Sequence, residues 1–176
     1  DIQKRQMITQ AGKNVKVFGI EGNFDDAQRG VKEIFGNKAM SDELEKKGYT
    51  FSSANSINWG RLVPQIVYYF SAYVDAIKAG KISAGDAINF VVPTGNFGDI
   101  LAGYYAKLMG LPIDRLLCAS NSNNVLTDFI NSGVYDKRRD FYKTISPSMD
   151  ILVSSNLERL LYNVSDGDAV RVAEYM

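Results

Sequence analysis

Histidine is absent from this 176-residue sequence, and cysteine and tryptophan each occur once. Without histidine there is no Ser-His-Asp or Cys-His catalytic apparatus and no histidine-ligated zinc or iron centre. A single cysteine cannot close an internal disulfide, which excludes a stapled secreted mini-domain. An excess of charge of either sign is missing too, since 20 Lys and Arg balance 20 Asp and Glu. That balance argues against a chain built mainly to hold nucleic acid or an anionic membrane surface. No apolar run approaches the roughly 20 residues needed to cross a bilayer. The opening residues Asp1–Gln10 are polar and do not read as a signal or transit peptide, so a cytoplasmic location is expected. A start at Asp1 and an end within the helix-like stretch Ala169–Met176 are expected of a piece of a longer polypeptide.

What is present suffices for a core. Hydrophobic residues make up 45% of the chain, and the length suits one ordinary domain or two small ones. Only four prolines punctuate it, with no internal repeat or low-complexity tract. The alternation in Val15–Ile20 predicts a strand. Asp25 and Asp26 then place acids at the start of a helix carrying Ala27, Val31, Ile34 and Phe35 at helical spacing. Ser41-Asp42-Glu43-Leu44 suggests an N-capped helix ended by Gly48, with a short strand at Tyr49–Phe51 after it. From about Trp59 to Ala79, the residues Leu62, Val63, Ile66, Val67, Phe70, Tyr73, Val74 and Ile77 form one helix face, with Pro64 tolerated near the first turn.

The second half reads as strand, loop, helix and strand. Ala87–Val92 is almost continuously apolar, as expected for a strand covered on both faces. Helices are expected at Ile100–Met109 and Asn124–Asn131, flanking a strand at Arg115–Ala119. This order predicts an α/β fold, with parallel-sheet layers and flanking helices joined by right-handed crossovers. The charged stretch Gly133–Pro147 reads as a surface loop, and Asp136–Asp140 within it as a solvated run. Ser155 and Glu158 are spaced for a capping box at the start of a last amphipathic helix.

Three polar constellations fall at ends of these elements. Thr94-Gly95-Asn96-Phe97-Gly98-Asp99 lies between a buried strand and a helix, where open parallel sheets place their ligands. Its glycines permit a tight turn, and its free N–H groups can converge on an anion, phosphate being the natural occupant. No Lys follows the second Gly, so this is not a nucleoside-triphosphate loop, and the spacing is not that of a dinucleotide fingerprint. Asp99 can cap its own helix rather than face the anion. A plain Gly-containing strand-to-helix turn fits the same residues. The segment Ser52–Arg61 offers short polar groups before the long helix, with Arg61 in its first turn. Ordinary capping by Asn55, Ser56 or Asn58 with a solvated Arg explains it as well. Asn121-Ser122-Asn123-Asn124 follows a strand, and capping and turn chemistry account for it without a ligand. Cys118, inside an apolar strand, reads as a small core residue rather than a nucleophile. Tyr104 and Tyr105 read as packing groups, and neither Lys107 nor Lys143 sits where a depressed pKa is expected.

Taken in order, these segments resemble the threonine synthases, pyridoxal-phosphate enzymes of the tryptophan-synthase-β-like (fold type II) family. The matching stretches are Gly22–Gln28, Asn55–Arg61, Val92–Gly103, Asn121–Asn124 and Ser146–Ile151. The resemblance runs over nearly the whole chain and looks like the longer microbial and fungal branch. The resemblance implies that residues 1–53 are the tail of a smaller α/β domain and 54–176 part of the large cofactor-binding domain. It implies that Gly95, Asn96, Phe97, Gly98 and Asp99 hold the phosphate of pyridoxal phosphate. Asn55, Ser56 and Arg61 would then bind the substrate O-phospho-L-homoserine. The implied reaction eliminates the γ-phosphate and adds water at the β carbon to give L-threonine, the cofactor serving as electron sink.

One departure accompanies the matches. The family's Schiff-base Lys stands in a Phe-Lys-Asp-type motif that does not occur in this chain. No catalytic residue is therefore assigned here, no metal site is expected, and the chain by itself is expected to be inactive. The alternatives are a non-catalytic α/β module that binds a phosphorylated ligand, or a related fold type II lyase. Self-association through exposed fragment surfaces is a further expectation.

Overall fold

A computed structural model describes residues 2–55 and 58–175. In chain order the elements are α1 (Ile2–Ile8), α2 (Phe24–Gly36), α3 (Lys38–Lys46), α4 (Trp59–Lys78), β1 (Ile88–Pro93), α5 (Gly98–Leu108), β2 (Ile113–Ala119) and α6 (Val125–Ser132). A short 3-10 turn at Pro147–Met149 follows, then α7 (Leu157–Val164) and α8 (Ala169–Tyr175).

The centre is the β1–α5–β2 unit with α4 packed on α5. β1 and β2 pair in parallel, with Phe90 opposite Leu116 and Val92 opposite Cys118, after an irregularity between Ile88 and Phe90. This arrangement is the expected α/β class, in which a helix supplies the crossover between parallel strands. Leu62, Tyr69, Leu101, Ala102, Ala106, Val125 and Leu126 fill the core. Both α4 and α5 end at a glycine with positive φ, Gly80 and Gly110. Each end closes with the paired backbone bonds of a Schellman motif, such as Lys81 N–H to the Ala76 carbonyl at 3.0 Å.

Several local expectations are corrected. β1 is not covered on both faces. Val92 is buried, whereas Val91 is 66% exposed, so among the described residues the packing does not screen both faces of the strand. No strand forms at Val15–Ile20 or Tyr49–Phe51. Val15 makes one isolated bridge with Gly12, and Phe18 is 83% exposed. Alternation needs a neighbouring strand to satisfy the backbone, and among the described residues none lies beside either segment. α3 starts at Lys38 rather than Ser41, because the Asn37 side chain caps it by accepting from Met40 N–H at 3.1 Å. α2 gains a full capping box, with Asn23 and Asp26 exchanging bonds of 2.9 and 3.1 Å. The expected Ser155–Glu158 box does not form, since Asn156 occupies the cap position of α7. α1 was not expected at all.

Candidate functional site

Thr94 fixes the start of the loop after β1. Its N–H donates to the Ala119 carbonyl at 2.8 Å and its hydroxyl to the Val92 carbonyl at 2.7 Å. The next two carbonyls are then held from behind. The Ser154 hydroxyl donates to the Gly95 carbonyl, while the Asn156 N–H and side-chain amide both donate to the Asn96 carbonyl, at 3.1 and 3.0 Å. Asn156 is completely buried. Pinning two successive carbonyls on one side leaves the N–H edge of the loop for the other side.

Phe97 then takes a left-handed conformation, φ 63° and ψ 7°, as the N-cap residue of α5, without any side-chain cap. The glycines were expected to supply such a turn, but neither Gly95 nor Gly98 has positive φ. A left-handed non-glycine residue costs roughly 1–2 kcal/mol, and such strain clusters at ligand sites. Gly95 is needed for another reason. A Cβ there would lie 2.8 Å from Ile151 Cδ1 and 3.3 Å from the Ser148 carbonyl oxygen. The first bond inside α5 runs from Leu101 N–H to the Phe97 carbonyl, so the N–H groups of Gly98, Asp99 and Ile100 stand outside the helical ladder. Convergent donors at the positive end of a helix dipole fit an anion.

A cavity of about 100 Å³ opens over this loop, lined by Arg61 and Gln65 of α4 together with Pro93–Ile100. Two sequence-predicted groups, Arg61 and Gly95–Asp99, thus meet in one place. Arg61 donates to the Ala54 carbonyl, which tethers its guanidinium. Asn55 does not line this cavity, and its Oδ1 accepts from the Ser53 hydroxyl at 2.7 Å. Ser56 lies outside the described residues. Asn58 caps α4 by accepting from Gly60 N–H at 2.9 Å.

Asp99 does not cap its helix as expected. Its carboxylate faces the Tyr69 hydroxyl, and burial pushes its pKa above the ordinary carboxylate value, partly offset by that hydrogen bond. Burial and the Asp99 charge raise the Tyr69 phenol in turn. Arg61, Gln65 and Tyr69 stand four residues apart and so share one stripe of α4. Reading only the apolar periodicity of this helix hides that stripe, and the i, i+4, i+8 spacing is the signal that reveals it.

The third constellation is structural. Asp150 Oδ1 accepts from the side chains of Asn121, Asn123 and Thr144 at 2.8, 3.1 and 2.7 Å, and Oδ2 accepts from Thr144 N–H at 2.9 Å. The loop at 133–147 is less solvated than its charge suggests, because Arg139 reaches Asp128 of α6 at 2.7 Å. Burial pushes the Cys118 thiol up, in keeping with a packing role. Among the described residues no cluster of His, Cys, Asp and Glu could hold a metal ion, and no helix is long and apolar enough to cross a membrane.

No family model matches the chain. It is 50% identical over 176 residues to Threonine synthase-like 1 of Pongo abelii, covering 99% of this chain and 24% of that protein. It is 48% identical over 161 residues to threonine synthase of Eremothecium gossypii, covering 92% of this chain and 30% of that protein. The solved structure of pyridoxal-phosphate-bound threonine synthase from Brucella melitensis matches with a TM-score of 0.78 at 47% identity, over 98% of this chain and 35% of that one. Identity near one half on a shared fold makes this chain a homologue of the threonine synthases over the quarter to a third of those proteins that it spans.

Proposed function

We propose that this chain supplies the phosphate-binding cup and an anion-orienting arginine of a pyridoxal-phosphate-dependent threonine synthase. The parent reaction would convert O-phospho-L-homoserine and water to L-threonine and phosphate. The observation that carries this reading is the single cavity bounded by Arg61 and the strained Gly95–Asp99 loop. The donor set fits a phosphate: backbone N–H groups at a helix start, a guanidinium beside them, and carbonyls turned away by Ser154 and Asn156. When bound, pyridoxal phosphate supplies the electron sink for charge that develops on substrate carbons. The chain's own residues bind and orient. Gly95, Asn96, Phe97, Gly98 and Asp99 form the cofactor cup, and Asn55, Ser56 and Arg61 are assigned to the substrate's phosphate or carboxylate. Residues 1–53 are assigned to a smaller domain and 54–176 to the cofactor-binding domain, in a cytoplasmic enzyme of the fold type II class.

The 176 residues alone are expected to bind without turning over, since they carry no Phe-Lys-Asp-type motif. That same absence also favours a second reading, an α/β module that holds a phosphorylated ligand without chemistry. Fluorescence titration with pyridoxal phosphate, against pyridoxal lacking the phosphate, tests the cup. Preference for the phosphorylated form, competed by inorganic phosphate, supports the reading; equal binding of both forms overturns it. Borohydride treatment followed by intact-mass analysis tests inactivity. A single pyridoxyl adduct at one lysine, together with threonine formation, would refute the claim that the chain alone is inert.

A further inference from the structure

α2 meets the rest of the chain through polar groups. Its apolar residues Ile34 and Phe35 are 43% and 40% exposed, whereas Gln28 is buried. Asp25 stands one turn before Gln28 on the same face. Its Oδ2 accepts the Leu152 N–H at 3.4 Å, 127 positions along the chain. Burial pushes the Asp25 carboxyl above its ordinary value and Asp26 adds to that rise, while the N–H groups of Leu152 and Val153 and the charge of Lys32 work against it. Asp26 itself is engaged elsewhere, on the Asn23 N–H and the Arg29 guanidinium. The segment that Asp25 holds is the one behind the anion loop. Tyr135 holds the same segment, its hydroxyl donating to the Leu152 carbonyl and accepting the Ser154 N–H, both at 2.8 Å. Its ring stands edge-on to Phe129 of α6 at a centroid distance of 5.8 Å. The Ser154 hydroxyl in turn donates to the Gly95 carbonyl. Asp25 Oδ1 and Gln28 Nε2 are shut away from solvent without partners among the described residues. A helix that docked for stability alone would bury its apolar residues instead.

We propose that Asp25 is a positioning residue for the anion cup: it ties α2 to the 152–154 segment and so sets where Ser154 holds the Gly95 carbonyl. This rests on the reading of the Gly95–Asp99 loop as an anion site. It gives the Gly22–Gln28 stretch, which does not line the cavity, a part in binding. Docking of α2 and filling of the cup are then linked, and such linkage is reciprocal. An anion that fixes the loop favours the docked helix by the same factor by which the docked helix favours the anion.

The test is calorimetry with inorganic phosphate at pH 7 on the 176-residue chain as wild type, Asp25→Asn and Asp25→Ala. Both variants remove the charge, so any direct repulsion of phosphate is relieved alike, and the ratio between them reads the acceptor oxygen. Asp25→Ala is expected to bind phosphate about fivefold more weakly than Asp25→Asn, the lower end of couplings between distinct sites. Hydrogen exchange supplies a readout that a merely structural role would not move. Saturating phosphate is expected to slow exchange across α2 and at Leu152 and Val153 in the wild type, but only around residues 98–101 in Asp25→Ala. If Asp25→Ala fails to fold by circular dichroism, the exchange in the wild type decides. Equal phosphate affinity of the two variants overturns the proposal and leaves the anion cup standing. So does slowing of α2 that persists in Asp25→Ala, or wild-type exchange in α2 that phosphate leaves unchanged while residues 98–101 slow. Absence of phosphate binding by the wild type removes the cup and the proposal together.

Discussion

The phenol of Tyr69 donates to the backbone carbonyl of Asp99 at 2.8 Å, and one oxygen of the Asp99 carboxylate lies 3.3 Å from the same hydroxyl. This couples the middle of α4 to the first turn of α5, the turn whose N–H groups face the candidate anion site. The Tyr69 ring is itself fixed, edge-on to Phe90 at a centroid distance of 4.9 Å. Position in the core and hydrogen bonding to the site therefore reside in one side chain.

Tyr69→Phe separates the two roles, since it keeps the ring and removes only the hydroxyl. The Asp99 carbonyl loses a donor, and a loss of about 1 kcal/mol in unfolding free energy is expected. Urea denaturation should show a lowered midpoint with an unchanged slope. Affinity for inorganic phosphate should fall as well, because the first turn of α5 is no longer tethered. Undiminished phosphate affinity would mean that the tether does not organise the site.

Gly103 lies beneath the same ring. A Cβ there would stand 2.6 Å from Tyr69 Cε1, 2.7 Å from Cζ and 3.0 Å from Leu116 Cδ2. The ring cannot swing away without breaking its bond to Asp99 and its packing on Phe90. Overpacking of this kind costs about 1–3 kcal/mol, while alanine's helix propensity returns no more than about 1 kcal/mol. Gly103→Ala is expected to lose about 1–2 kcal/mol. A double-mutant cycle with Tyr69→Leu checks the cause, because the smaller side chain should absorb much of the loss.

The raised pKa of Asp99 gives a pH dependence with a definite sign. Burial raises this carboxyl above its ordinary value of 3.8, and the Tyr69 hydrogen bond works against that rise. A group raised on folding contributes stability in its protonated form. The contribution is fully present below the unfolded value and is lost as pH rises through the folded value. Asp99→Asn has no such loss and keeps an oxygen for Tyr69. Its melting temperature should therefore gain on the wild type between pH 3 and pH 7, and the gap should close again in acid. A gap independent of pH would show that burial does not govern this carboxyl. Inorganic phosphate should also bind more tightly to the variant at pH 7, where a neighbouring negative charge has been removed.

Much of this architecture was legible from residues, and the failures share one physical cause. α4 was readable because one helix shows its own periodicity, from Leu62 to Ile77. The turn after β1 was readable because Gly95 and Gly98 stand between an apolar strand and a helix. What stayed hidden depends on partners far along the chain. Ser154 and Asn156 look like helix-capping residues in sequence, yet they hold carbonyls about sixty positions away. Gln65 is unremarkable among the apolar residues of α4 until Arg61 and the loop are seen on the same side. The strand expected at Val15–Ile20 failed for the same reason in reverse. Alternation was present, but no neighbouring strand lies beside it among the described residues.

Asp150 provides the most severe test of the packing behind the site. It is 5% exposed, and its two oxygens accept four hydrogen bonds from Asn121, Asn123 and Thr144. Asn123 is tied onward to Tyr142, with its amide donating to the Tyr142 carbonyl at 2.8 Å and its Oδ1 accepting the Tyr142 N–H at 2.9 Å. Removing the acceptor leaves the Thr144 N–H without its partner, while the Asn121 and Asn123 amides keep Thr144, Ser146, Asn121 and Tyr142 oxygens, and a cost of about 1–3 kcal/mol is expected. Asp150→Ala should fall in that range. Asp150→Asn, of equal size, should lose less, because one oxygen survives while the new NH₂ faces groups that already donate. The effect should also reach the anion cup. The next residue, Ile151, packs where a Cβ on Gly95 would stand, so a loosened 144–151 segment removes the back wall of the loop. Asp150→Ala is therefore expected to weaken inorganic phosphate binding and to speed proteolysis between residues 133 and 147, although Asp150 does not line the cavity. Normal phosphate affinity in a variant destabilised by that much would show that the loop is held by Ser154 and Asn156 alone.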